Sequence, residues 1–135
     1  MILYNLEPNG KSVVAAGIYM PPSAILSRIR AGIDSNSKVL KDALETPELL
    51  ALFNKKDSCM EMFLDGKDAL KTAPKGYAKD HQDIDLLRLK TFTLSKKFDD
   101  SEVVLPDFPK TALAYFKAFM PLVYAINSYL EIDGL

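Results

Sequence analysis

Apolar and polar positions change period several times along this chain, and each change marks an element. Ile2 to Leu6 and Ser12 to Met20 are rich in β-branched and aromatic residues, with Glu7-Pro8-Asn9-Gly10-Lys11 between them. Asn-Gly tolerates the positive φ of a tight turn, so the pattern predicts a β-hairpin. Pro21-Pro22 ends the second strand because proline has no ladder donor. Ile25, Leu26, Ile29 and Ile33 then recur three and four apart, one face of a helix. Arg30 borders that face, whereas Arg28 points well away from it. Asp34-Ser35-Asn36-Ser37 is a break and a fresh N-cap. Val39, Leu40, Ala43 and Leu44 predict a second short helix. Thr46-Pro47-Glu48 opens a third with a cap, a proline in the first turn and an early acid.

Beyond the polar stretch 54–58, Cys59 to Leu64 reads as a strand, with Asp65-Gly66 as its turn and Lys67 to Thr72 as a weaker partner. Pro74-Lys75-Gly76-Tyr77 is a loop by its punctuation. Asp80 to Leu89 predicts a short helix with acids in its first turn, where the macrodipole favours them. Lys90 to Phe98 alternates apolar and polar, the signature of a half-buried strand. Past Asp99-Asp100 and Pro106-Asp107-Phe108-Pro109, the positions Ala112, Phe116, Phe119, Val123, Ile126 and Leu130 form one long helical seam. Pro121 lies inside it and predicts a kink or break near Met120. The expected architecture is one α+β domain over residues 1–135. It has an antiparallel sheet (the N-terminal hairpin plus strands near 59–72 and 90–98), short helices and a long kinked C-terminal helix.

Composition narrows the classes of function. The chain has 135 residues, 48% of them hydrophobic and 26% charged, which suits a folded domain with a real core. A net charge of -1 gives no overall pull towards nucleic acid or anionic lipid. No run approaches the ~18 apolar residues of a spanning helix, and Ile2 to Leu6 has neither the basic flank nor the cleavage site of a secretory leader. With one Cys there is no internal disulfide, which fits a reducing, cytoplasmic setting. One Cys and one His cannot build a zinc site from soft ligands. No metal, cofactor, nucleic acid or membrane partner is therefore expected.

Candidate chemistry is sparse. Gly10-Lys11-Ser12 copies the end of a phosphate-binding loop, but Asn5 stands where the first glycine belongs and Val13-Val14 follows where a helix should start. Cys59 and His81 are the one thiol–imidazole combination, and Cys59 beside Met60, Met62 and Phe63 reads more simply as core. Asp80, His81, Asp83 and Asp85 form the densest titratable cluster. His81 could act there as an acid-base group oriented by Tyr77 or Asp85, or the cluster could be a capped helix start. The second explanation is simpler, since no further ligand cluster completes a metal site. Lys67 to Lys97 holds eight basic residues against four acids. That bias is either a solvated rim or a site for an anionic, phosphate-bearing ligand. The aromatics do not interleave with these lysines as stacking on single strands requires.

Three stretches together resemble a known family. They are Gly17-Ile18-Tyr19-Met20-Pro21-Pro22 with Leu26-Ser27-Arg28-Ile29-Arg30-Ala31-Gly32-Ile33-Asp34; Ala73-Pro74-Lys75-Gly76-Tyr77 with Asp80-His81 and Ile84-Asp85-Leu86-Leu87-Arg88-Leu89-Lys90; and Phe116-Lys117 with Met120-Pro121-Leu122. In order and spacing they resemble the domain of unknown function 2461 family. The resemblance brings no established activity. The family's Arg-x-x-Arg-Asp-x-Arg-Phe signature and Asp-Lys-x-x-Tyr element do not occur in this sequence. The resemblance thus implies a chain corresponding to the C-terminal three fifths of the family domain, a truncated or incomplete member without demonstrated catalysis. Positions that fit the family's pattern and carry polar chemistry are Arg30, Lys75, Tyr77, His81, Arg88 and Lys90. His81 and Tyr77 are the catalytic candidates; Arg30, Lys75, Arg88 and Lys90 are the ligand-binding candidates. A strand edge at Ile2 to Leu6 would expose unpaired backbone groups, so self-association through it is expected.

Overall fold

A computed structural model describes residues 2–5 (as backbone), 10–65 and 68–130 of the chain. Leu6 to Asn9, most of the expected hairpin turn, and Gly66-Lys67 lie outside the described residues. Strands β1 (Ile2–Asn5), β2 (Ser12–Ile18) and β3 (Phe92–Phe98) form one antiparallel sheet in the order β1-β2-β3. The β2–β3 ladder runs from Ser12 opposite Phe98 to Ile18 opposite Phe92. Alternation decides the buried face: Val14, Ala16, Phe92, Leu94 and Phe98 are buried. Lys96 shares that face and carries its ammonium over the Phe98 ring, 5.8 Å from the centroid. Gly17 has φ +123°, and a Cβ there would stand 2.0 Å from the Phe92 carbonyl oxygen. Only glycine fits that position of the ladder.

Between β2 and β3 run α1 (Ser23–Asn36), α2 (Lys38–Ala43), α3 (Pro47–Leu52), α4 (Met60–Leu64) and α5 (Ile84–Leu87). After β3 come the short α6 (Asp100–Val103) and the long α7 (Phe108–Leu130). Helix α7 lies across β2 and also packs on α1, α2 and α3, so it is the spine of the core. Its predicted seam is buried at Ala112, Phe119, Val123 and Ile126, and Tyr115 and Leu122 widen the stripe. Tyr115 meets Phe53 and Phe98 edge-on, each at 5.5 Å between centroids, while Phe108 meets Phe98 at 5.1 Å.

Helix α1 approaches α7 at Gly32. A Cβ on Gly32 would fall 2.3 Å from Cδ1 of Tyr129, so the ring occupies the space a side chain would need. The Tyr129 hydroxyl donates to the Asn36 carbonyl at 2.7 Å and accepts from the Leu40 N–H at 3.3 Å. Those groups stand at the end of α1 and in the first turn of α2. One side chain of α7 therefore fixes the corner between two helices. Burial pushes the Tyr129 phenol above its ordinary pKa, an effect that the Leu40 hydrogen bond opposes.

The structure corrects several expectations. Cys59 to Leu64 is not a strand: the Phe63 N–H bonds the Cys59 carbonyl at 2.8 Å and Met60–Leu64 is helical. Cys59 and Phe63 are both fully buried, four residues apart, and over six residues a helical and a strand period look alike. Of its expected partner at 67–72, the described residues 68–72 contribute a single bridge, Ala69 to Leu89, and no strand. In addition, Pro121 does not break α7, which runs as one helix from Phe108 to Leu130. Phe119, Leu122 and Val123 are buried on both sides of the proline, and this packing carries the helix through one missing hydrogen bond. The expected helix from Asp80 to Leu89 shortens to Ile84–Leu87, and α6 was unforeseen; the Glu102 carboxylate accepts the Asp99 N–H at 3.0 Å at its start.

Gly17→Ala should cost more stability than Gly32→Ala, because the obstacle at Gly17 is backbone whereas Tyr129 is a side chain. Urea denaturation should show about 1–3 kcal/mol lost for Gly32→Ala and a larger loss for Gly17→Ala. Equal losses would refute this account of the two glycines.

Candidate functional site

The candidate residues gather where the segment from Asp68 to Thr91 lies against α1 and α2. Arg30 leaves α1 one position after buried Ile29 and so reaches sideways from the core-facing stripe. Its Nε donates to the Leu87 carbonyl at 2.7 Å and its Nη2 to the Leu89 carbonyl at 3.2 Å. These carbonyls lie at and beyond the end of α5, where the helix leaves acceptors unsatisfied. Burial pushes the Arg30 guanidinium below its ordinary pKa, and nearby Tyr77 partly offsets this. Arg88 acts in the same way, its Nε donating to the Leu70 carbonyl at 2.6 Å. The backbones of the two stretches are paired as well: Leu70 N–H to the Arg88 carbonyl at 2.7 Å, and Lys90 N–H to the Asp68 carbonyl at 2.9 Å.

His81 is held at both ring nitrogens. Its Nδ1 accepts the Asp83 backbone N–H at 2.9 Å, which places the ring proton on Nε2, 2.7 Å from Asp34 Oδ1. Tyr77 meets the imidazole edge-on at 6.3 Å between centroids. Neither Tyr77 nor Asp85 orients the ring; Asp34 of α1 does. Asp34 is a residue that the sequence pattern placed in a helix break.

Beside His81 stands the most buried charge among the described residues. The Asp83 side chain is 3% exposed and receives the Lys41 ammonium of α2 at 2.6 Å. Burial opposes ionisation of Asp83. Hydrogen bonds from Lys41 and Ser37, with the Lys41 charge, outweigh that and hold the carboxyl below the usual aspartate range. Lys41 escaped sequence reasoning, and its one signal is its position beside buried Leu40 on the boundary of the apolar face of α2.

Other candidates do not join this constellation. Lys75, Asp80 and Asp85 are exposed, and Lys90 is half-buried. Cys59 is fully buried in the core, where burial pushes its thiol pKa up, with Lys55 opposing, so a reactive thiolate paired with His81 has no support. Among the described residues no cluster of three His, Cys, Asp or Glu could hold a metal ion. The main clefts lie elsewhere. One of about 560 Å³ sits between α1 and α7, lined by Arg28, Gly32, Asn36 and Tyr129; two more follow α7 where it meets α2 and α3. None of Arg30, Lys75, Tyr77, His81, Arg88 and Lys90 lines these clefts.

A family model described as "Conserved hypothetical protein (DUF2461)" matches residues 2–124. The chain belongs to the DUF2461 family. No curated protein and no solved structure matches it. The match covers both sides of the constellation, from α1 through the 68–91 segment, and ends within α7. In this DUF2461 chain the candidate residues Arg30, His81 and Arg88 bind its own backbone and one carboxylate. No helix among the described residues is long and apolar enough to cross a membrane.

Asp83→Asn should cost about 1–2 kcal/mol at neutral pH, because it removes the charge of a buried carboxylate that the Lys41 ammonium, 40% exposed, bonds at 2.6 Å. The folded-state pKa of Asp83 is depressed, so its contribution is whole above the unfolded value and fades as pH falls through the folded one. The stability gap between wild type and Asp83→Asn should therefore close below about pH 4. A gap that persisted undiminished in acid would remove this role for the ion pair. Arg30→Met should lower stability by about 1–3 kcal/mol and speed amide exchange at 68–91 before other segments. Uniform exchange across the molecule would contradict the clamp.

Proposed function

We propose that this DUF2461 chain works without catalysis, as an assembly module whose outer strand β1 pairs with a strand of another copy. The observation that carries the proposal is the use already made of the candidate groups. His81 has both ring nitrogens engaged, so a free lone pair for proton abstraction is missing. Arg30 and Arg88 spend guanidinium donors on backbone carbonyls, which weakens the alternative of a phosphate cradle built from Arg30, Lys75, Arg88 and Lys90.

The sheet has two outer strands of different character. β3 carries Lys96 and Lys97, the kind of charge that discourages edge-to-edge pairing. β1 reads Ile2-Leu3-Tyr4-Asn5 with no charge, and among the described residues β2 is its one hydrogen-bonded neighbour. An uncharged outer strand offers its free backbone groups to a second strand, the geometry of β-augmentation. Buried, unpaired Cys59 suits a reducing cytoplasmic setting for such a module.

Leu3 and Asn5 pair with half-buried Ala15 and Val13, whereas Ile2 and Tyr4 pair with buried Ala16 and Val14. Lysines at Leu3 and Asn5 thus place charge on the outer strand opposite the less buried positions of β2. In analytical ultracentrifugation the wild type should associate with rising concentration, and Leu3→Lys/Asn5→Lys should stay monomeric with a similar melting temperature. A wild type that remained a monodisperse monomer at high micromolar concentration would sink the proposal.

A further inference from the structure

The helix that organises the core is apolar on more than its buried side. Leu113 and Tyr124 on α7 are 50% and 63% exposed. At 100° per residue they share one quarter of the helix circumference with Lys117 and Pro121. An exposed apolar arc on a surface helix marks an interaction face, because a lone domain turns mostly polar residues outward.

Beside this arc, two adjoining grooves of about 430 and 660 Å³ run between α7 and the α2–α3 pair, sharing Thr46 and Pro121. Small side chains line them on both sides, Ala43 and Ala51 opposite Ala114, Ala118 and Ala125. Along α7 the joint groove extends from Ala114 to Ser128, about 21 Å, the length of four helical turns. Alanine walls let another backbone come close. Pro121 has no N–H for the Lys117 carbonyl, so the rim of the groove also holds a backbone acceptor without its helical donor.

The two walls differ in charge. Glu48 and Asp42 stand on the α2–α3 side, Asp42 in an exposed ion pair with Lys38 at 2.7 Å that a partner cation can replace, and Lys117 stands on the α7 side. We propose that this groove docks an amphipathic α-helix of a partner protein. The apolar stripe of that helix is flanked by Lys or Arg where it meets Asp42 and Glu48, and by a carboxylate where it meets Lys117. Helix-in-groove recognition of this kind takes affinity from the apolar anchors and orientation from the flanks. The α7 of a second copy fits less well as the occupant, because it contains no acid to meet Lys117. The inference stands apart from pairing at β1, which lies on a different element.

The test uses the full chain and two synthetic amphipathic peptides of about 18 residues, with leucines at helical spacing. One peptide carries Lys on one flank and Glu on the other; the second carries Glu on both. Fluorescence anisotropy should show the Lys/Glu peptide binding at least about tenfold more tightly than the Glu/Glu peptide. Asp42→Lys/Glu48→Lys should invert that preference, and Tyr124→Asp should weaken both peptides. These positions are exposed, so thermal melts should confirm intact folding. Leu3→Lys/Asn5→Lys should leave peptide affinity unchanged, which separates this result from association through β1. Equal affinity for the two peptides, or a preference untouched by the charge reversal, would overturn the proposal. So would a wild-type dimer that Tyr124→Asp dissociates, since the face would then belong to a second copy.

Discussion

The contact between the Tyr129 ring and the bare backbone of Gly32 sets the geometry on which the rest depends. Without a Cβ on α1, the long helix comes close enough for the Tyr129 hydroxyl to bridge the end of α1 and the start of α2. With both helices fixed to α7, Arg30 faces the end of α5 and Lys41 faces Asp83. Helix α7 also spans β2, so the same spine carries the sheet on one side and the helical corner on the other. Overpacking at that corner would displace several polar contacts together, because side chains that must meet across elements depend on the elements' approach.

The polar residues of the 68–91 segment act as fasteners. This stretch contains only one turn of helix and one isolated bridge, yet it carries buried backbone groups that need partners. Arg30 and Arg88 supply donors to carbonyls, and His81 supplies an acceptor to the Asp83 N–H. The Lys41–Asp83 pair then secures the start of α5 to α2. A cluster of titratable residues can thus resemble an active site in sequence and still serve to hold irregular chain in place. What distinguishes the two is whether any donor or acceptor remains directed at open space.

Among the described residues, two surfaces stand without a packed neighbour. One is the backbone of an uncharged outer strand, the other the exposed apolar arc of α7 with the alanine-walled groove beside it. They differ in the forces available. Strand pairing draws on directional hydrogen bonds, and the groove draws on apolar burial with charged walls for orientation. Both are properties of elements whose other side is already packed, so each can be occupied without disturbing the core.

Much of the chain's local order was legible in the residues themselves. The spacing of Ile29 and Ile33, the Thr46-Pro47 cap, the alternation from Phe92 to Phe98 and the long seam of α7 each follow from short-range periodicity and chemistry. The six family-pattern residues were legible as candidates, but their partners were not. Asp34 lies 47 positions from His81, and Leu87 lies 57 from Arg30. Cys59 to Leu64 was misread because six residues do not separate two periods. Pro121 does not break α7, because packing on both sides of it outweighs its local preference. The sequence alone determined which segments become helix or strand wherever the pattern is long, together with membership of a family. Tertiary structure decided what the polar residues are for, because a side chain's chemistry is set by the groups that folding brings to it.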